Sequence, residues 1–275
     1  MTAAAERQAP LAVAAGEDGV LEVALQRLPC NEIGTAMLAA LEGACDAIDA
    51  AAPRVVILHS TVPAGFCAGA DLRELHAGML AVEDPAERRA AIADFLERIH
   101  RVMDRLDTFP GPVVAALHGV CFGGGFELAL TADLRIAEKN TRFAFPELRL
   151  GLIPGFGGLP RLRRDAPAGL VRSLLMSGRS LGARRAAEVE LVQQVVAPGE
   201  ALGAARRLAA QLLRYDAHAT RLGKAFVKPL PREDLDEEKR IFLELIDRPA
   251  VREALADFAS RTDAHPWLPR AAPSP

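Results

Sequence analysis

Gly119-Val120-Cys121-Phe122-Gly123-Gly124-Gly125-Phe126-Glu127-Leu128 is the stretch that decides how this chain folds. Just before it, Val113-Val114-Ala115-Ala116-Leu117 is a short, continuous apolar run, the pattern of a strand buried on both faces. Just after the glycines, Phe126 to Thr131 has helical spacing. A buried strand therefore feeds three consecutive glycines and then a helix. Glycines permit positive φ and close approach of a ligand to the backbone. A helix start carries unpaired N–H groups and a partial positive charge. Together these stabilise developing negative charge. If Gly124 opens the helix, Glu127 lies one turn on, on roughly the same face. The alternatives are a phosphate-type loop and simple tight packing of strand on helix. No Walker lysine follows the glycines, and the Gly-x-Gly-x-x-Gly spacing is absent.

Working upstream, a second segment has the same form. Val55-Val56-Ile57-Leu58 follows Pro53 and reads as another doubly buried strand. A tight loop over 65–69 comes next, within Phe66-Cys67-Ala68-Gly69-Ala70-Asp71-Leu72. The N–H of Ala70 can supply a second donor, and two backbone donors converging on one oxygen make an oxyanion hole. The alternative is a turn with Asp71 as a helix cap. Val20 to Leu25 predicts a strand, and 35–51 a helix that Thr35 can cap. Residues 85–107 predict a charged amphipathic helix opened by Pro85. Leu134 to Ala137 and Arg142 to Phe145 are strand-like, and a glycine- and proline-rich stretch covers 151–160. From about 168 the pattern is helical. This alternation predicts an α/β core.

The composition bounds the function. The chain has 275 residues, 50% hydrophobic and 25% charged, with a formal net charge of −3. That is a globular composition without the basic excess of a nucleic-acid or membrane-surface binder, so neither partner is expected. Cys30, Cys45, Cys67 and Cys121 form no Cys-x-x-Cys pair and lie at no zinc-ligand spacing. They read as reduced thiols of a cytoplasmic protein, with no metal site. Met1 to Pro10 has no apolar signal-peptide core, and no apolar stretch is long enough to span a membrane. The expected division is a core over 11–200, a helical region over 201–265, and loose ends at 1–10 and 266–275.

The two glycine-bearing segments resemble the signature blocks of the crotonase (enoyl-CoA hydratase/isomerase) superfamily. A third block matches in order and spacing: Phe145-Pro146-Glu147-Leu148 running into Gly151-Leu152-Ile153-Pro154-Gly155-Phe156-Gly157-Gly158-Leu159-Pro160-Arg161-Leu162. The likeness covers about 20–200. It implies a repeated ββα spiral core with a C-terminal helical oligomerisation region, assembling as a homotrimer or a hexamer. It implies an acyl-CoA thioester substrate, with coenzyme A as part of the substrate and no separate cofactor.

By position, the resemblance assigns the oxyanion donors to Ala70 and Gly124 and the acid–base pair to Glu127 and Glu147. Water must lose a proton as it attacks C3 while a proton reaches C2, and two carboxyls can share that work. Family isomerases commonly keep only the position of Glu147, so the pair favours an enoyl-CoA hydratase. A Δ3,Δ2-enoyl-CoA isomerase, another reaction of the same class, and a catalytically silent assembly or RNA-binding subunit stay open as alternatives. For CoA and substrate contacts the resemblance points to Arg27, Asn31, Phe66, Ala68, Asp71, Leu72, Gly123 and Phe156, with Phe258 and Arg261 contributed by the C-terminal helix. Phe126, Phe145 and Phe156 are bulkier than the common pattern, which suggests a reshaped acyl pocket. Leu159-Pro160 replaces a frequent Thr-Gln. His118 reads as structural, and Asp133 as a partner of backbone or an arginine.

Overall fold

A computed structural model of the chain describes residues 9–16 and 19–261. The expected loose ends therefore fall almost wholly outside the described residues, as do 262–265 of the helical region.

Two sheets build the core. The larger has six strands in the order β1 (Leu11–Ala15), β2 (Val20–Leu25), β3 (Val55–Ser60), β5 (Val113–Leu117), β7 (Leu134–Glu138), β10 (Gln194–Val196). The smaller has four: β4 (Gly65–Cys67), β6 (Val120–Phe122), β8 (Arg142–Ala144), β9 (Leu181–Gly182). Only the β1–β2 and β8–β9 pairs are antiparallel. Each pass of the chain leaves one strand in each sheet, β3 then β4, β5 then β6, β7 then β8. Helices fill the returns: α1 (Thr35–Ala51), α2 (Leu72–Ala81), α3 (Pro85–Asp107) and α4 (Gly124–Ala129). This is the repeated spiral that the resemblance implies.

Side-chain alternation explains why the larger sheet is covered on both faces. On β3, Val56 and Leu58 join the main core, whereas Val55 and Ile57 join a second cluster. On β5, Val113, Ala115 and Leu117 face the first, and Val114 and Ala116 the second. Alanines 201, 204, 205 and 209 of α8 (Ala201–Leu212) cover that second face. The remaining helices are α5 (Gly158–Asp165), α6 (Ala168–Ser177), α7 (Ala183–Glu188), α9 (Ala217–Val227), α10 (Arg232–Leu245) and α11 (Pro249–Ser260). Phe242 of α10 and Leu255 of α11 are buried in the main core.

Local chemistry sets the helix starts. Asp84 caps α3, accepting from Ala86 N at 3.0 Å, with Pro85 in the first turn. Asp71 caps α2, accepting from Glu74 N at 3.0 Å. The helix over 35–51 forms as predicted, but its N-cap is Gly34, and the Thr35 hydroxyl bonds the Glu74 carboxylate instead. Asp133 accepts from Val113 N and from Lys224 and Lys228, so its cations are lysines and not an arginine. His118 Nε2 lies 2.9 Å from Val62 O, a structural contact.

One feature of the topology positions the site. β4 and β6 run parallel and side by side, and each ends at the start of a helix. The starts of α2 and α4 are thereby brought together. Among the described residues, no helix is long and apolar enough to cross a membrane.

Candidate active site

The structure brings the amides of Ala70 and Gly124 to one spot. The point a Cβ would take on Gly124 is 3.5 Å from Ala70 N, and the point a Cβ would take on Gly69 is 3.2 Å from Gly124 N. Neither amide has an acceptor among the described residues. Their neighbours on one strand of chain do: Ile33 N donates to Gly69 O at 2.7 Å, and Asp71 N to Ile33 O at 3.0 Å. Two unpaired donors at the base of a cavity are a rarity that calls for a ligand. Gly123, the N-cap of α4, has φ +48°, and a Cβ there would meet Glu147 Oε1 at 2.6 Å. A side chain at 123 would therefore displace the carboxyl as well as strain the turn.

The two predicted carboxyls line the same cavity, whose volume is about 330 Å³. Glu127 is buried, and its Oε1 accepts from Phe156 N and Gly158 N, both at 2.8 Å. Burial pushes its carboxyl up to about 7, against the opposing pull of those two amides. Glu147 is half-buried as a residue, but its Oε2 is shielded from solvent and has no partner among the described residues. Burial, and then the charge of Glu127, hold it well above the ordinary carboxylate value. Both carboxyls are thus raised toward the protonated form, and only Glu127 has backbone amides to stabilise its charged form, which suits the two to different parts in acid–base chemistry.

The turn over 155–159 that clamps Glu127 is itself held from several sides. Glu238 of α10 is buried, and its Oε1 accepts from Leu159 N at 3.0 Å. Its Oε2 is buried without a partner, and burial together with the charge of Glu127 raises it strongly. Arg161 is fully buried; its Nη1 donates to Gly157 O at 3.1 Å, and its other nitrogens pair with Asp107 at 2.9 Å and Asp104 at 2.5 Å. His100 Nε2 lies 2.9 Å from Gly155 O, and burial lowers its pKa to about 4. Sequence reasoning missed all three. Glu238 stands in an Asp-Glu-Glu-Lys run that reads as a solvated helix face, and nothing local distinguishes it.

Of the other predicted contacts, Ala68, Asp71, Leu72, Gly123 and Phe156 line the cavity. Arg27, Asn31, Phe66, Phe258 and Arg261 do not. Arg27 is tied to Asp71 at 2.7 Å. Asn31 is fully buried, accepting from Arg27 N and donating to Ser60 Oγ and Phe66 O, so it folds the turn and presents nothing to a ligand. Phe66 is fully buried, which leaves only its backbone near the site. Within this chain, Phe258 lies under the Arg73 guanidinium, 5.4 Å from ring centroid to Cζ, and Arg73 donates to Arg261 O at 2.9 Å. Phe126 and Phe145 also depart from expectation. Their rings stack 4.8 Å apart inside the core and do not line the cavity, so Phe156 alone of the three adds bulk to it. Among the described residues, no group of three His, Cys, Asp or Glu could hold a metal ion.

The family model described as enoyl-CoA hydratase/isomerase matches residues 15–267. The chain belongs to that family. Among curated relatives of this hydratase/isomerase family member is the Arabidopsis thaliana "Probable enoyl-CoA hydratase 2, mitochondrial", 32% identical over 252 residues, 89% of this chain and 80% of that one. The Rattus norvegicus "Methylglutaconyl-CoA hydratase, mitochondrial" is 36% identical over 157 residues, 57% of this chain and 47% of that one. A solved structure of an enoyl-CoA hydratase from Bacillus anthracis superposes with TM-score 0.71 at 30% identity, covering 90% of this chain and 95% of that one. The protein is thus a crotonase-type acyl-CoA enzyme by family.

The raised carboxyls of this family member make a stability prediction. Folded-state pKa values above the unfolded value of 4.5 mean that stability is full below 4.5 and is lost as pH rises through the folded values. Glu147→Gln removes one such group. Its melting temperature is expected to exceed the wild type by about 2–4 °C at pH 8 and by less at pH 5. Calorimetry at the two pH values checks this; a gap that does not widen with pH contradicts it.

Proposed function

We propose that this protein is an enoyl-CoA hydratase. Water adds across the 2,3 double bond of an acyl-CoA thioester, hydroxyl to C3 and proton to C2. The thioester oxygen accepts from Ala70 N and Gly124 N, and negative charge gathers there as the enolate forms, so the donors favour the transition state over the substrate. Glu127, whose charged form the Phe156 and Gly158 amides stabilise, holds the water and takes its proton. Glu147, which keeps its proton, delivers it to C2. The observation that carries this reading is the pair of amides without acceptors among the described residues, facing a cavity that two carboxyls also line. The names of the curated relatives support the same reaction class.

Loss of the conjugated-thioester absorbance, followed on a panel of 2-enoyl-CoA substrates, tests the reaction. Glu127→Ala separates hydration from double-bond isomerisation. A hydratase is expected to lose about 10²–10⁴-fold in kcat, the ordinary contribution of a general base. A variant that keeps most of its turnover would instead identify an isomerase working through Glu147 alone. Binding of acyl-CoA without turnover of any enoyl-CoA would identify a silent family member.

A further inference from the structure

Beyond Glu127 and Glu147 the cavity wall is mostly apolar; its polar members are Thr35, Asp71, Glu74 and Arg88, of which Asp71 is held by Arg27 and Glu74 by Thr35, and Arg88 is the cation. Along α3 the residues facing it recur at helical spacing: Arg88, Ile92, Phe95, Leu96. Leu75 and Met79 of α2 face it from the other side. Phe95 packs on Phe156, with ring centroids 5.9 Å apart, and the Phe156 ring in turn lies against Gly124. The inner end of this stripe is therefore at the paired amides. Its outer end is Arg88, two turns away, or about 10 Å along the helix axis.

Arg88 is half-buried and only partly satisfied by the described residues. Its Nη1 donates to Val82 O at 3.2 Å. Its Nε is shielded from solvent and has no acceptor, and no carboxylate of the described residues pairs with it. Neighbouring arginines differ: Arg89 pairs with Asp247, and Arg98 with Glu42. A guanidinium with a desolvated, empty N–H is costly unless something anionic meets it. Its planar fork suits a carboxylate, which it can take through two parallel hydrogen bonds.

We propose that Arg88 selects acyl groups that end in a carboxylate. The substrate class would be CoA thioesters of 2-enedioic acids, with the thioester oxygen at Ala70 and Gly124, the chain along Phe95 and Ile92, and the distal carboxylate on Arg88. This rests on the hydratase reading for the chemistry, but not for the recognition. An uncharged straight chain would leave the guanidinium unpaired, whereas the acid satisfies it, so the preference has a direct physical source.

The test compares ligands that share the CoA moiety, so that contacts to CoA cancel. Titration calorimetry on the full chain measures glutaryl-, adipoyl- and suberyl-CoA against pentanoyl-, hexanoyl- and octanoyl-CoA. At one or more matched lengths the acid is expected to bind at least tenfold more tightly. Arg88→Met should lower that acid-to-neutral ratio at least tenfold, and Arg88→Lys should restore part of it. If the neutral ligand binds as well at all three lengths, or if Arg88→Met weakens acid and neutral ligands equally, the proposal is overturned. The wild-type ratio decides even if a variant does not fold. Saturated ligands need no turnover, so failure of the hydratase reading shows separately, as absent hydration of any enoyl-CoA with the binding ratio intact.

Discussion

Replacing Glu147 with glutamine is expected to lower kcat for enoyl-CoA hydration by about 10²–10⁴-fold, with a much smaller change in KM. Glutamine keeps the shape of the side chain against Gly123, where Oε1 fits so closely that a Cβ on that glycine would meet it at 2.6 Å. What it loses is the exchangeable proton. Glu147 Oε2 makes no hydrogen bond to the described residues, so the change breaks no contact at that atom. The effect therefore falls on the chemical step, while the fold gains stability at high pH. Steady-state kinetics and melting curves on the same preparation check both halves. A variant within tenfold of wild-type kcat would remove Glu147 from the proton inventory.

The second large effect is expected from Gly125→Ala. A Cβ at 125 would lie 2.3 Å from Cys67 O and 2.6 Å from Cys67 Cβ. These atoms belong to β4 and its side-chain root, not to the end of a flexible side chain. The start of α4 must then move away from β4, and the Gly124 amide moves with it relative to Ala70. Overpacking of this kind costs about 1–3 kcal/mol or more. Loss of one oxyanion donor costs about 10²–10³ in kcat. We expect kcat/KM to fall at least about 10²-fold, together with a lower melting temperature. Gly43→Ala serves as the control, because nothing lies within 4 Å of a Cβ there and the site is an exposed position in α1. That change should leave turnover intact and add up to about 1 kcal/mol of stability. Equal behaviour of the two variants would contradict the close-packing argument.

The parts of the fold legible in the sequence are those coded locally. The helix over 85–107 reads from Asp84, Pro85 and its apolar spacing, and α3 has those bounds. Buried strands such as β5 read from unbroken apolar runs. The short strands β4, β6 and β9 do not, because two or three residues carry no period; β4 lies where the sequence reads as a tight loop. The same limit applies at the site. Glu127 and Glu147 stand beside glycine turns whose conformation follows from their own residues. Glu238, Arg161 and His100 reach the 155–159 turn from three distant segments, and only tertiary packing brings them there. Asn31 shows the converse error. The resemblance points to it as a ligand contact, but its amide is spent on Ser60, Phe66 and the Arg27 backbone.

Hydration by this protein requires two main-chain amides and two carboxyls to converge on one thioester. A crystal structure of the protein with a saturated acyl-CoA tests it most directly. The thioester oxygen is expected about 2.7–3.1 Å from both Ala70 N and Gly124 N, with the Glu127 and Glu147 carboxyls flanking C2 and C3. A thioester bound elsewhere in the cavity, or one whose oxygen is held by only one of the two amides, would contradict it.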